Sequence, residues 1–257
     1  MSALGPLRAQ ARADLLVYLR TPSALFFSAL LPVVFLVLLT SIFGNERDDD
    51  GIRTATYQVP AFIVLAVVST AFVGLVISLV TARENGILKR VRATPASTTI
   101  VLSGRVAVAG MASLAVTAVL LVIGIVAYDV DLPLRTVPAL VVTILLGAGA
   151  FAALGFAFTR LVDSEDSAAA ITNLVVLPLY FISGVFVPRS QLPEGLLTVA
   201  SVLPVQPFND ALFASFDPGT TGAGFAWTEL AVVAAWGLAG AAIAARTFRW
   251  TPRGDAG

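Results

Sequence analysis

"TATYQVPAFIVLAVVSTAFVGLVISLVTA", Thr54 to Ala82, carries no charge from end to end, and "RENGILKRVRATPAS", Arg83 to Ser97, follows it at once. About 20 mostly apolar residues of helix cross roughly 30 Å of hydrocarbon, so the first stretch is long enough to span a membrane. It shows no two-residue alternation, which argues against a membrane strand. The second stretch places five charged residues in its first ten positions. A lipid-compatible run that ends this abruptly marks a span meeting a membrane surface.

The same reading extends along the chain. Of its 257 residues 58% are hydrophobic and only 12% charged, with a mean hydropathy of +0.91; a soluble domain would be about a quarter charged. Further uncharged runs cover Thr21–Asn45, Val106–Tyr128, Thr136–Thr159 and Ser167–Pro188. A shorter one, Leu230–Ala245, must borrow from Phe225–Glu229. The fold class expected is an all-α integral membrane domain over 1–257, with six transmembrane helices near 23–43, 58–81, 105–128, 136–159, 168–187 and 225–246. The first run is too long for a signal-peptide core and lacks an A-x-A cleavage site, so it reads as an uncleaved anchor. An even number of spans puts both termini on one side. Counting Lys and Arg gives twelve on that side, including Arg8, Arg12, Arg83, Lys89, Arg160 and Arg246, against Arg47, Arg53, Arg135 and Arg189 opposite. The positive-inside rule therefore makes both termini cytoplasmic.

Two connecting regions are neither spans nor solvated loops. Before the first span, Leu7, Ala11, Leu15 and Tyr18 recur at helical spacing beside Arg8, Arg12 and Arg20. This predicts an interfacial helix over 5–20, in contact with membrane lipid. After the fifth span, residues 190–216 are proline-broken yet apolar. Two short helices, about Glu194–Leu203 and Pro207–Phe216, are expected there as an extracellular cap or re-entrant hairpin.

Composition removes several kinds of chemistry. The chain has no cysteine and no histidine, which excludes disulfides, thiolate metal sites, HExxH zinc sites and Ser-His-Asp triads. The middles of the spans hold no ionisable group other than tyrosine, whereas ion-coupled carriers need one there. Glu229 reads as an interfacial residue near Trp227, and Asn173 as an interhelical hydrogen-bonding group. Gly237, Gly240, Ala241, Ala244 and Ala245 form a helix-packing face and weak support for dimerisation. The sole lysine, Lys89, is flanked by Leu88 and Arg90, so no Walker A loop exists. Energy for any driven process must come from another chain.

A purely topological anchor needs basic residues but no apolar stripe. As a helix over 83–95, the charged loop would place Ile87, Leu88 and Val91 on one face, with Glu84 near its positive N-terminal end and Thr94-Pro95 as its stop. Such a stripe can bury itself in the membrane surface or in a partner's groove, and the residues alone leave both open.

The pattern Arg83-Glu84-x-Gly86-x-x-Lys89-Arg90-x-x-x-Thr94-Pro95 resembles the cytoplasmic motif between the second and third spans of type 2 ABC transporter permeases, in the drug-resistance (daunorubicin-exporter-like) branch. "LPLYFISGVFVPRSQLPEGLLTVASVLPVQPF", Leu177 to Phe208, is similar to that family's fifth span and following segment, through Pro178, Ser183-Gly184, Pro188, Leu192-Pro193 and Leu203-Pro204. The resemblance implies a non-catalytic permease subunit of an exporter in the bacterial plasma membrane, paired with a second permease as a homodimer or heterodimer. It implies two copies of a separate cytoplasmic ATPase, which carry the ATP and Mg; this chain would hold no cofactor or metal and bind no nucleic acid. The coupling helix, seated on the ATPase, would comprise Arg83, Glu84, Gly86, Ile87, Leu88, Lys89, Arg90, Val91, Arg92, Thr94 and Pro95. The second and fifth spans would face the pathway, making Ser69, Thr70, Ser78, Thr172, Asn173 and Phe181 possible lining. Their mostly apolar setting suits an amphipathic or lipid-like cargo. The alternatives are an ATP-independent carrier or channel, and a membrane scaffold that recruits a cytoplasmic partner without transport.

Overall fold

The computed structural model describes residues 29–47, 51–87, 98–187 and 191–247. The expected interfacial helix at 5–20 and the coupling-motif residues Leu88 to Pro95 lie outside the described residues. Every extended element within them is helical; an isolated bridge pairs Arg47 with Arg53. In chain order the helices are α1 (Leu31–Phe43), α2 (Thr54–Glu84), α3 (Thr98–Tyr128), α4 (Val137–Phe158), α5 (Glu165–Ile182), α6 (Glu194–Val202), α7 (Val205–Phe213) and α8 (Trp227–Thr247). Helices α2, α3, α4, α5 and α8 are long and apolar enough to cross a membrane. Helix α1 is a shorter apolar helix, and α6 and α7 form a pair bent by 89°.

Helix α2 is the axis of the bundle. It is apolar all round, which suits a helix surrounded by other helices or by lipid. It touches α1, α3, α4, α5 and α7. In its most apolar stretch 78% of residues are buried, against 22% in α5 and in α8. Midway, over Ser69–Gly74, the helix widens into a π turn. Glycine accommodates this at two places. A side chain on Gly74 would crowd the Ser69 carbonyl at 3.3 Å, and one on Gly155 of α4 would meet the carbonyls of Phe72 and Ala71 at 3.4 and 3.5 Å.

Helices α4 and α8 make the closest pairing. A Cβ on Gly237 would stand 2.9 Å from the Cβ of Ala150, and one on Gly240 would stand 2.8 Å from the backbone nitrogen of Leu154. Missing side chains let the two backbones approach, as in other membrane helix pairs. At Gly237 and Gly240, the small-residue stripe is thus consumed within the chain.

Helix α7 enters the bundle. Val205, Phe208, Ala211 and Leu212 are fully buried, and α7 meets α2, α4, α5 and α8. The ring of Phe208 rests where a side chain on Gly147 would be, and packs edge-on against Phe151 with centroids 5.5 Å apart.

Helix ends follow local chemistry. Helix α5 stops at Ile182, short of the expected 187. Gly184 adopts a left-handed φ of 77°, and the Val185 amide bonds the Tyr180 carbonyl at 3.3 Å, closing a Schellman turn. Pro193 and Pro204 precede α6 and α7, where a missing amide proton costs least. At the turn between α1 and α2, Asn45 donates to the Tyr128 carbonyl at 2.7 Å and accepts from the Ala55 amide at 3.2 Å. One side chain thereby ties α1, α2 and α3 together.

Candidate functional site

The charged motif begins inside α2, which corrects its expected local structure. Arg83 and Glu84 are the last two residues of that helix, so Glu84 sits at a helix C-terminus rather than at the N-terminal end of a separate coupling helix. Gly86 supplies the reason. Its φ of 67° is left-handed, and its amide bonds the Arg83 carbonyl at 3.2 Å while the Asn85 amide and side chain both return to the Thr81 carbonyl. A left-handed glycine one residue past the cap ends a helix. Ile87 follows it, about half exposed.

Arg83 turns inward, and only 6% of its surface is exposed. Its Nη1 donates to the Thr159 carbonyl at 3.3 Å, and its Nη2 to the carbonyls of Val162 and Asp163 at 2.8 and 3.2 Å. These carbonyls belong to the short 3-10 turn Thr159–Leu161 that closes α4 and to the residues just after it. Terminal helix carbonyls lack intrahelical donors and carry partial negative charge, so a guanidinium fork satisfies several at once.

Glu84 makes the complementary contact. Its Oε2 accepts from the Glu165 amide at 3.1 Å, at the first turn of α5. That helix begins with Ser164 as N-cap, whose Oγ accepts from the Ser167 amide at 3.3 Å, and with Glu165 and Asp166 in the first turn. Acidic groups stabilise a helix start, which explains a connection carrying acidic residues on an otherwise basic side. Under the two polar contacts lies an apolar plug of Val76, Val80, Val162 and Ala168, all fully buried. The end of α2 is therefore fixed to the α4–α5 turn by a guanidinium, a carboxylate and a valine.

The possible pathway residues fall into different settings. Ser69 is half-buried on the π turn, with its Oγ 3.4 Å from the Tyr180 hydroxyl, which also donates to the Leu65 carbonyl at 3.3 Å. Thr70 is buried, with no hydrogen-bond partner for its hydroxyl among the described residues. Thr172 is fully buried and donates to the Ala168 carbonyl of its own helix at 2.6 Å. Asn173, expected to bond between helices, donates to the Ala169 carbonyl of its own helix at 2.9 Å. Ser78 is exposed and accepts from Arg105 at 3.0 Å. Phe181 is half exposed, its ring 5.3 Å from that of Phe186. Asn173, Leu177 and Phe181, four residues apart, share one outward stripe of α5; Ser69, Thr70 and Thr172 are held inside the bundle.

Three features had no distinct sequence signal. The carbonyls that Arg83 binds belong to residues whose side chains are irrelevant to the contact. Tyr180 is one tyrosine in an apolar run. Gly147 and Gly155 sit among many small residues. The N-cap Ser164 followed by Glu165 and Asp166 was readable as a helix start.

A family model described as ABC-2 type transporter matches residues 7–216, which takes in the charged motif and the bent helix pair. No curated protein matches the chain.

Proposed function

The chain belongs to the ABC-2 type transporter family as a membrane permease component of an ABC transporter, and on that premise we propose that it is the spanning subunit of an ATP-driven exporter. Members of the family generally pair with an ATPase subunit. In this reading two copies of a cytoplasmic ABC ATPase hold ATP and Mg, and a second permease, identical or related, completes the pathway. The segment from Gly86 to Pro95, with Ile87, Leu88 and Val91 as its apolar face and Lys89, Arg90 and Arg92 as its charges, seats on the ATPase. The Arg83 end of the bundle is then cytoplasmic, in the bacterial plasma membrane, and the α6–α7 hairpin lies at the outer side.

The observation that carries this reading is the helix stop at Gly86. It leaves a half-exposed Ile87 at the end of the most enclosed helix among the described residues, and Lys89, Arg90 and Arg92 follow it in the sequence. A segment placed there can press on the bundle's axis. The outward stripe of Asn173, Leu177 and Phe181 on α5 is the proposed cargo-facing surface. Its one amide among apolar side chains suits an amphipathic or lipid-like molecule such as a drug, antibiotic or lipid.

The test is co-expression with a candidate ABC ATPase subunit from the same genome, with purification on the permease. Ile87→Asp and Arg90→Glu should abolish ATPase co-purification while the permease stays folded and membrane-inserted. In inverted vesicles the unaltered complex should accumulate lipophilic fluorescent dyes only with ATP. Dye transport by the purified permease alone would overturn the reading in favour of an ATP-independent carrier. Undiminished ATPase recovery with both variants would remove the coupling assignment.

A further inference from the structure

We infer that Arg83 and Glu84 are positioning residues, committed within the permease rather than to the ATPase, and that they lock the ends of α2, α4 and α5 into one mechanical unit. The inference rests on the exporter reading above and divides the charged motif in two. Residues from Gly86 onward receive the push. Arg83 and Glu84 distribute it.

Burial and geometry carry the division for Arg83; for Glu84, which is exposed, the contact to the start of α5 carries it. A guanidinium that is 6% exposed, with both Nη atoms on backbone carbonyls, has no face left for another protein. Its targets are the end of α4 and the turn leading into α5, far from α2 in sequence but in direct contact with it. The Glu84 carboxylate completes the tie on the start of α5. Both contacts join a side chain to backbone atoms, so they resist sliding of one helix past another whatever side chains line the turn. The fully buried Val162, wedged between Val76, Val80 and Ala168, resists separation. A displacement delivered just after Gly86 is thus shared at its origin by three helices instead of bending α2 alone.

The π turn at Ser69–Gly74 gives this tie its consequence. Leu75–Glu84 forms an α-helical arm after it, ten residues long, or about 15 Å at 1.5 Å per residue. π turns interrupt the regular ladder and are places where helices change direction. Without the Arg83–Glu84 tie, an arm of this kind would pivot at the π turn and dissipate the motion. With the tie, α5, which carries the outward stripe of Asn173, Leu177 and Phe181, must follow.

The chain has no cysteine, so one introduced at the exposed Asp166 in the first turn of α5 is its only thiol. In the assembled transporter in lipid nanodiscs, spin labels on Asp166→Cys of two permease copies report how α5 moves when ATP and vanadate are added. The unaltered background should show a shift in the inter-label distance. Arg83→Ala should reduce that shift to less than half while ATPase affinity stays within about twofold. Glu84→Gln, which preserves shape, should give an intermediate loss, and Arg83→Lys, which keeps a single donor group, should recover part of the shift. A full shift in Arg83→Ala and Glu84→Gln would overturn the inference. So would loss of ATPase binding in step with the shift, which would return both residues to the ATPase interface. An unaltered complex that binds ATPase but shows no nucleotide-driven shift would overturn the exporter reading itself.

Discussion

Replacing Gly147 with alanine should dislodge Phe208 and loosen the helix that enters the bundle. The new methyl carbon would stand 2.2 Å from Cε2 of Phe208, 2.5 Å from Cζ and 2.8 Å from Cδ2. Carbon atoms in contact lie about 3.5–4.0 Å apart, so the ring must retreat by roughly 1.3–1.8 Å. It has nowhere to go. Phe208 is fully buried, Phe151 packs on it with centroids 5.5 Å apart, and Val205, Ala211 and Leu212 of the same helix are fully buried too. Either the ring leaves its rotamer well or α7 shifts as a whole. Overpacking of this kind costs about 1–3 kcal/mol, while exchanging a helical glycine for alanine returns up to about 1 kcal/mol. With the full alanine gain realised, the expected net is a loss of up to about 2 kcal/mol, from those two terms together.

Thermal unfolding of the purified permease in detergent measures the loss. Phe208→Leu, which shortens the clashing side chain, supplies the control. The double variant should be more stable than the sum of the single effects predicts, with a coupling of about 0.5–3 kcal/mol. A Gly147→Ala protein as stable as the unaltered chain, with a strictly additive double variant, would refute the seat assigned to Phe208.

Two further outcomes follow from the packing. Gly240→Val should be more damaging than Gly147→Ala, because its Cβ meets the backbone of Ala153 and Leu154 at 2.8–3.0 Å and backbone cannot rotate away; gel filtration and limited proteolysis should show loss of the compact folded protein. Tyr180→Phe removes the hydroxyl that reaches Leu65 and Ser69 beside the π turn. It should lower stability by about 0.5–1.5 kcal/mol, the net worth of a typical hydrogen bond, and an unchanged unfolding midpoint would show that the contact contributes nothing.

The legible part of the fold is the part written in apolar runs. Thr54–Ala82, Val106–Tyr128 and Thr136–Thr159 each fall within a single long helical region, although α3 begins at Thr98, well before the apolar run does. The ends are less legible, since the expected bounds of 168 and 187 for the fifth span miss both caps of α5. Ser164 caps α5 and Gly184 closes it, both through local chemistry. Gly86 belongs with these, and its left-handed turn was present in the motif. Reading the motif as one helix from Arg83 to Pro95 hides its effect, because the left-handed glycine ends α2 before the motif is half complete. The candidate site was legible as a set of residues, not as a set of contacts. Adjacency in the chain groups Arg83 and Glu84 with Lys89 and Arg90, although Arg83 is buried against the end of α4 and Glu84, at the surface, holds the start of α5.

Solvent preference is additive over about 20 consecutive residues, so the sequence by itself determined that this chain is a helical membrane protein, and approximately where its spans lie. The motif at 83–95 and the proline-broken stretch after the fifth span were likewise enough to place it in its family. Tertiary structure alone decided which small residues are seats, as Gly147 is for Phe208 and Gly240 for the backbone of α4. It also decided which charge is buried, and toward what. Arg83 binds three carbonyls, and every residue carries a carbonyl, so no residue identity could mark those partners before the helices were brought together.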